Sequence, residues 1–518
     1  MKFGLIAGVS LLSLGLAAPA LAEDDSRIEE LEARVQQLED MNRQLLDVMQ
    51  AQGLLPHAEA PAAPSMAHPA PGHHGDAPVQ TAHHQGGHHG GDHHGGEQAD
   101  HHGDDFHQNL VGISPEYGYD ILDHAEGVNT RPLTILNAAR EGNLDRRVTL
   151  SGNVTALANY QESNSNTKFG WLMRHPTSAN QIGETVSEFV VHSAQLAVTG
   201  RMTDSITLYS EMLYDPEQSF GSGTLTDLNR NQVQLRRAFV LFGDLERTPW
   251  YAAIGKMDTP FGLNDTVSPF TNSTNWHAFA GLATGGMVGY YNNGLHVRAM
   301  AIQGGSQFRA HNAPVEDTNV PSRVNNFAVD VNYTADLGDD RTLMAGASYT
   351  EATAYCQAYP VFHFNPCDDN NPGWAIYGQA DLGRLDLLGE YARTTEDWPG
   401  TASPAPIYAG FEAVAPESFT LGGRYWFDVT TSEDFAVSFE FSRFISGDDG
   451  APWEKQDQWV LGGSYFISPS VNLFGELIRT EGWVPLNFLS GGNLPTGESW
   501  SESDANTNVF ALGVQASF

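Results

Sequence analysis

From Arg147 to Phe518 the chain holds sixteen runs of alternating apolar and polar residues, joined by connections that switch strictly between short and long. Such period-2 alternation makes a strand with one oily face and one wet face. The runs fall at about 147–162, 188–202, 205–216, 231–245, 250–257, 285–293, 295–304, 325–337, 341–353, 373–383, 384–396, 417–428, 434–446, 457–468, 471–483 and 507–518. After even runs the connections are RMTDS, LERTP, YNNG, LGDDR, DLGRL, DVTTSED and SPS. After odd runs they are long, at 163–187, 217–230, 258–284, 305–324, 354–372, 397–416, 447–456 and 484–506. Tight turns at one end and long loops at the other belong to a closed membrane barrel with an even strand count, and a soluble sandwich has no reason to keep them. No stretch of about 18 apolar residues follows the N-terminal region, which leaves a closed barrel as the route across a bilayer. The predicted fold class is all-β, a 16-stranded antiparallel transmembrane β-barrel.

The last run, TNVFALGVQASF, puts Phe510, Leu512, Val514, Ala516 and Phe518 on one face and Val509, Ala511, Gly513, Gln515 and Ser517 on the other. An apolar face ending in an aromatic ring suits a lipid-facing strand that reaches the membrane interface, and the ending resembles that of bacterial outer-membrane barrels. Sixteen strands leave room for an aqueous channel. Glu211, Asp330, Glu390, Glu440, Glu476, Arg298 and Arg424 fall on polar, lumen-facing sides, opposite faces such as Phe327, Val329, Val331 and Tyr333. Arg236 and Arg237 are adjacent, so in a regular strand only one faces inward; a bulge, a rim position or snorkelling must place the other. From residue 147 on there are 41 Asp and Glu against 19 Lys and Arg. With a formal charge of −37 for the whole chain, nucleic acid is excluded as a partner. The same excess reads as a solvated acidic exterior or, more sharply, as a cation-favouring lumen or vestibule.

Upstream of the barrel the composition changes four times. Residues 1–22 read as a signal peptide: Lys2, an apolar run and Ala20-Leu21-Ala22 as the cleavage site. Residues 23–52 carry Ile28, Leu31, Val35, Leu38, Asn42, Leu45 and Met49 at alternating spacings of three and four, a coiled-coil seam too short to stand without identical partners. Asn42 sits where a polar residue fixes register and copy number; a trimer is expected by analogy with porins. Residues 53–108 form a Pro/Gly/His-rich linker with 13 of the 20 histidines, among them His73, His74, His83, His84, His88, His89, His93, His94, His101 and His102. No core can form from such a segment, so disorder is expected. Imidazole beside carboxylate suits Zn, Ni or Cu, held without fixed geometry. Residues 109–146 are a periplasmic or plug-like segment with a helix near 133–140, and the pattern leaves both placements open. Cys356 and Cys367 share one loop and read as a local disulfide, with two free thiols as the alternative.

The run IGKMDTPFG, residues 254–262, resembles the G-K-x-x-x-P-F-G turn of outer-membrane porins that carry an N-terminal coiled coil. With TRPLTILNAAREGNLDRRVTLSG leading into the barrel, the layout resembles the LbtU-type siderophore porin family. That resemblance implies passive uptake of small solutes, including ferric siderophore or metal complexes. It also implies that the loop after the fifth strand, residues 259–286, folds into the lumen. Asp258, Asp265, Trp276 and His277 are the constriction candidates on it, facing wall residues such as Arg298. Phosphate-selective porins share the turn, but Lys168, Lys256 and Lys455 are the only lysines from residue 147 on, and an anion pore needs a basic ladder. Two alternatives stand beside this reading: a general porin whose His tract is a spacer, and a metal-scavenging protein anchored by its barrel. Enzyme chemistry is not expected, because the histidines His192, His296 and His363 lie in no G-x-S-x-G or H-E-x-x-H setting. No resident cofactor is required; the expected partners are outer-membrane lipid, small solutes and further copies of the chain, with the N-terminal segment in the periplasm.

Overall fold

A computed structural model describes residues 110–518 apart from 165–170, 172–183, 215–232, 304–323, 340, 354, 356–369, 398–413, 431–432, 452–453 and 483–504. The signal, coiled-coil and His-rich segments, Cys356 and Cys367 therefore lie outside the described residues. The chain enters with a short strand β1 (Val111–Ile113) and two helices, α1 (Pro115–Leu122) and α2 (Arg131–Arg140). Sixteen strands follow: β2 (Val148–Ser163), β3 (Thr185–Thr203), β4 (Ile206–Tyr214), β5 (Val233–Gly243), β6 (Trp250–Asp258), β7 (Leu282–Asn292), β8 (Leu295–Gln303) and β9 (Val324–Gly338). The second half comprises β10 (Arg341–Thr350), β11 (Gly373–Asp381), β12 (Leu385–Thr394), β13 (Glu417–Thr430), β14 (Glu433–Ile445), β15 (Lys455–Ser468), β16 (Val471–Gly482) and β17 (Ala505–Ser517). A further helix, α3 (Thr274–Phe279), lies between β6 and β7.

Each of these strands pairs antiparallel with the next, and β17 returns to pair with β2 from Thr507↔Ser163 to Ser517↔Asn153. The sheet is therefore a closed 16-stranded antiparallel barrel, and the sixteen expected strands are the sixteen observed. Closure leaves residues 148–152 of β2 beyond the end of β17. There β1 covers the overhang in parallel, Val111 beside Val148 and Ile113 beside Leu150, while Phe518 exchanges hydrogen bonds of 2.9 and 3.1 Å with Gly152. An uncovered edge would leave backbone groups unpaired at the membrane rim.

The pleat sorts the side chains as the alternation predicted. Leu421, Phe439, Leu461, Leu477 and Leu512 stand about half exposed on the outside, whereas Glu440, Glu476 and Gln515 are each 1% exposed on the inside. One place breaks the period. The β4–β5 register slips between Glu211 and Met212, so that Glu211 opposes Arg237 and Met212 opposes Leu235. Arg236 is the extra residue of this bulge, and both arginines are buried on the inner side. The bulge resolves the adjacency that a regular strand forbids.

A water-filled tube of full width is not what the barrel encloses. Ile121, Leu122, Ile135, Leu136 and Leu144 pack against the inward side chains Ala197, Tyr209, Phe239, Leu241, Met257, Met287, Met300 and Ile302. The segment from Ser114 to Arg146 is thus a helical hairpin seated within the lumen against β3–β8. At roughly 1.5–3 kcal/mol for each fully buried aliphatic side chain, the five hairpin residues alone contribute on the order of 10 kcal/mol.

Candidate pore and its inward loop

The connection from β6 to β7, residues 259–281, turns into the barrel, and every residue from 259 to 279 is buried. The motif that marks it has a steric basis. Gly255 sits at φ 139°, where a Cβ would collide with the Ala238 carbonyl of β5. Gly262, at φ 68°, lies so close to Glu390 that any side chain would displace the carboxylate. Only glycine meets both demands at no cost. Pro260 and Phe261 between them start the inward turn, with the Phe261 ring 6.2 Å from Phe279 at the loop's far end.

Carboxylates from every second strand hold the loop by its backbone. Glu390 on β12 accepts from the amides of Leu263 and Asn264 at 2.8 and 2.9 Å. Glu440 on β14 accepts from the Val267 amide at 3.0 Å and the Thr266 hydroxyl at 2.6 Å. Glu476 on β16 accepts from the amides of Phe270 and Thr271 at 2.8 and 2.9 Å. Each carboxylate takes two or more bonds from the loop, which is how a loop poor in charge is kept against a polar wall. Wall glycines make room: a Cβ on Gly422 would strike Val267, and one on Gly462 would strike Pro269. The loop thus passes β10, where the Ser348 hydroxyl accepts from the Gly262 amide at 2.7 Å, then β12, β14 and β16. Phe270 finally reaches His192 on β3, ring to ring at 4.8 Å.

The tip of the N-terminal hairpin, residues 123–130, meets this loop from the other side. Asp265 accepts from the amides of Gly127 and Val128, both at 3.1 Å. The Thr266 amide donates to the Ala125 carbonyl at 2.8 Å. His124 bonds the Phe270 carbonyl at 2.8 Å, and the Asn272 side chain donates to the His124 carbonyl at 2.9 Å. Burial holds the Asp265 carboxyl up at about 8 and the Asp123 carboxyl up at about 7; it pulls the His124 imidazole down to about 4, so that ring is neutral.

Three ion-paired groups tie hairpin to wall. Arg237 joins Glu211 at 2.9 Å to Asp258 at 2.6 Å, with Arg131 of α2 a further 3.8 Å from Asp258. Arg131 also donates to the carbonyls of Ile121 at 3.1 Å and Asp123 at 2.7 Å, fixing the hairpin's bend. Arg298 pairs with Asp330 at 2.7 Å and donates to the Asn129 carbonyl at 2.6 Å. Arg424 reaches Glu126 of the hairpin at 2.6 Å and Asp386 at 2.8 Å, its guanidinium 4.8 Å from the centre of the Trp426 ring.

Of the residues singled out by sequence, Glu211, Asp330, Glu390, Glu440, Glu476, Arg298 and Arg424 all project inward. Apart from Arg298 and Arg424, which border the remaining cavity, they do not line an open, wetted wall. Each is engaged by the loop, the hairpin or an opposite charge, because the lumen is filled at their level. Asp258 is the base of the Arg237 pair. Asp265 is the contact point of loop and hairpin. Trp276 and His277 lie in α3, fully covered, with Trp276 against Val128. Arg298 pairs with Asp330 and with Asn129 of the hairpin, and it borders the same cavity as the loop residues Leu263 and Asp265. The loop itself ends at Gly281, since β7 begins at Leu282. Asn129, Arg131, Glu126, His124 and Asp386 carry much of the arrangement and were not candidates. The pattern marks a helix near 133–140 but not the one at Pro115–Leu122, and nothing local says that the pair enters the barrel.

A cavity of about 600 Å³ opens at the short-turn end, between the polar side of α2 (Thr130, Thr134, Asn137) and the wall from β7 to β13. Glu126, Asp265, Asp381 and Asp386 line it against Arg298 and Arg424. A second cavity of about 400 Å³ lies beside it, towards Tyr119, Ser464 and Asn472.

No protein-family model matches this chain, and neither does any curated protein. Solved structures similar to it include porins and outer-membrane channels. The anion-selective porin from Comamonas acidovorans matches at 12% identity over 72% of this chain and 99% of its own, with a TM-score of 0.43. The outer membrane channel DcaP of Acinetobacter baumannii matches at 14% over 72% and 97%, TM-score 0.42. OprB of Pseudomonas putida matches at 10% over 74% and 97%, TM-score 0.44. These likenesses are weak, and the barrel assignment stands on the strand pairing.

Proposed function

We propose that the protein is a porin-type channel of the bacterial outer membrane, passing small solutes without an energy source through the polar half of its lumen. The observation that carries this reading is the closed barrel, oily outside and polar inside, with a turn-side vestibule of about 600 Å³ that ends on the inward loop. A cavity of that size accommodates a drug-sized molecule. Its two arginines face three carboxylates, Glu126, Asp386 and Asp330, and Asp381 adds to that surplus of acid, which favours cations or neutral solutes. The family resemblance extends the solute class to ferric siderophore and other metal complexes. From its own composition, the His-rich tract of residues 57–107 gathers Zn, Ni or Cu, and the heptad segment joins three copies. Liposome swelling tests the channel: full-length protein should admit small neutral solutes and exclude those larger than the vestibule. Swelling no faster than in protein-free liposomes, from well-inserted barrel, would remove the reading. Deleting residues 57–107 separates the parts, since growth on scarce metal should suffer while swelling persists; unchanged growth under every metal limitation would leave the tract a spacer.

A further inference from the structure

The two parts of the hairpin are held by different forces. Its helices are packed on apolar wall side chains, and water gains nothing by entering there. The tip is held mainly by polar contacts, with Val128 on Trp276 and His124 on Phe270 beside them: Asp265 to the amides of Gly127 and Val128, Thr266 to Ala125, Asn272 to His124, and Asn129 through its side-chain amide to the Gly262 carbonyl. Bonds of this kind exchange with water at small net cost. Water has access from two directions, because Glu126, Gly127, Arg424 and Trp426 line both the larger and the smaller cavity. The tip is therefore a thin partition between them, and it is seated on the loop that closes the lumen beyond.

Building on the channel reading above, we infer that residues 123–130 are a latch: released from the inward loop at Asp265, they open the lumen while α1 and α2 stay in place. Gly127, at φ 60°, supplies a backbone that presents two successive amides to one carboxylate. The Arg424–Glu126 pair bars the seam between the two cavities, and Arg298 on Asn129 anchors the tip's trailing end.

The test uses full-length protein in planar bilayers, with folding checked by heat-dependent gel mobility. Asp265→Ala removes both bonds to the tip, and Asn129→Ala removes the neighbouring one. Each should raise the fraction of time spent open, Asp265→Ala by about tenfold or more for two bonds. A cysteine pair, Ala125→Cys with Thr266→Cys in a background lacking Cys356 and Cys367, should hold the channel shut when oxidised and release it on reduction. Folded Asp265→Ala and Asn129→Ala that open no more often than the parent would overturn the latch and leave the channel standing. Silence from parent and variants alike would overturn both.

Discussion

The two halves of the lumen solve opposite problems. Around β3–β8 the inner wall is apolar, with Ala197, Phe239, Leu241, Met287 and Ile302 closing on the hairpin. Around β10–β17 it is polar, with Ser348, Glu390, Glu440, Ser442 and Glu476 reaching for loop backbone and Ser418 for the Thr274 hydroxyl. The first half resembles the core of a soluble protein and fixes the stopper. The second resembles a binding cleft, in which polar groups are satisfied by partners that water can replace. A barrel wall need not be uniform, and here the asymmetry separates what must stay from what can move.

The sharpest way to break the comparison is at the charged cluster of β4–β6 under the hairpin, inside the otherwise apolar half. Arg237→Ala leaves Glu211 buried without its close partner, and removal of one member of such a pair costs about 3–5 kcal/mol; urea unfolding in detergent should show that loss. Ile135→Ala should cost about 2–4 kcal/mol through the cavity it leaves in the apolar half, with single-channel current amplitude unchanged. A large change in current amplitude with little change in stability would reverse the roles assigned to the two halves. Glu440→Ala, in the polar half, should cost about 1–3 kcal/mol for the orphaned Val267 amide and Thr266 hydroxyl. It should appear mainly as current noise.

The smallest effect is set by pH. Asp265 and Asp123 are raised to about 8 and about 7, chiefly by burial. Glu126 and Glu390 face the first, and Glu126, Arg131 and Arg424 the second. Both carboxyls hold their protons in the folded state above the pH at which the unfolded chain loses them. Their contribution to docking is therefore fully present below about pH 4 and is lost as pH rises towards 7–8. Hydrogen exchange of residues 123–130 should accelerate across that window beyond its intrinsic pH trend, and Asp265→Asn should flatten the dependence. Docking that tightens with rising pH would contradict the assignment.

Much of this architecture was legible in the sequence because strands and turns are local. The alternation at 417–428 or 471–483 identifies β13 and β16 without knowledge of their neighbours, and the GKMDTPFG run marks where the loop turns in. The residue types on the inner face were equally legible. Their partners were not. That Glu390, Glu440 and Glu476 meet amides of residues 263–271 depends on contacts 126 residues or more away along the chain. That both Arg236 and Arg237 face inward depends on one register slip in β5. The hairpin's place in the lumen was hidden for a related reason. Its apolar residues Ile121, Leu122, Ile135 and Leu136 need a cover, and a sequence does not say whether the cover is another helix or a barrel wall.

The most direct measurement is the current through single full-length channels in a planar bilayer separating two KCl concentrations. A narrow, polar, acid-surplus passage predicts small brief openings whose reversal potential favours potassium over chloride. A large, steady, anion-preferring current would contradict both the filled lumen and the charge of its remaining half.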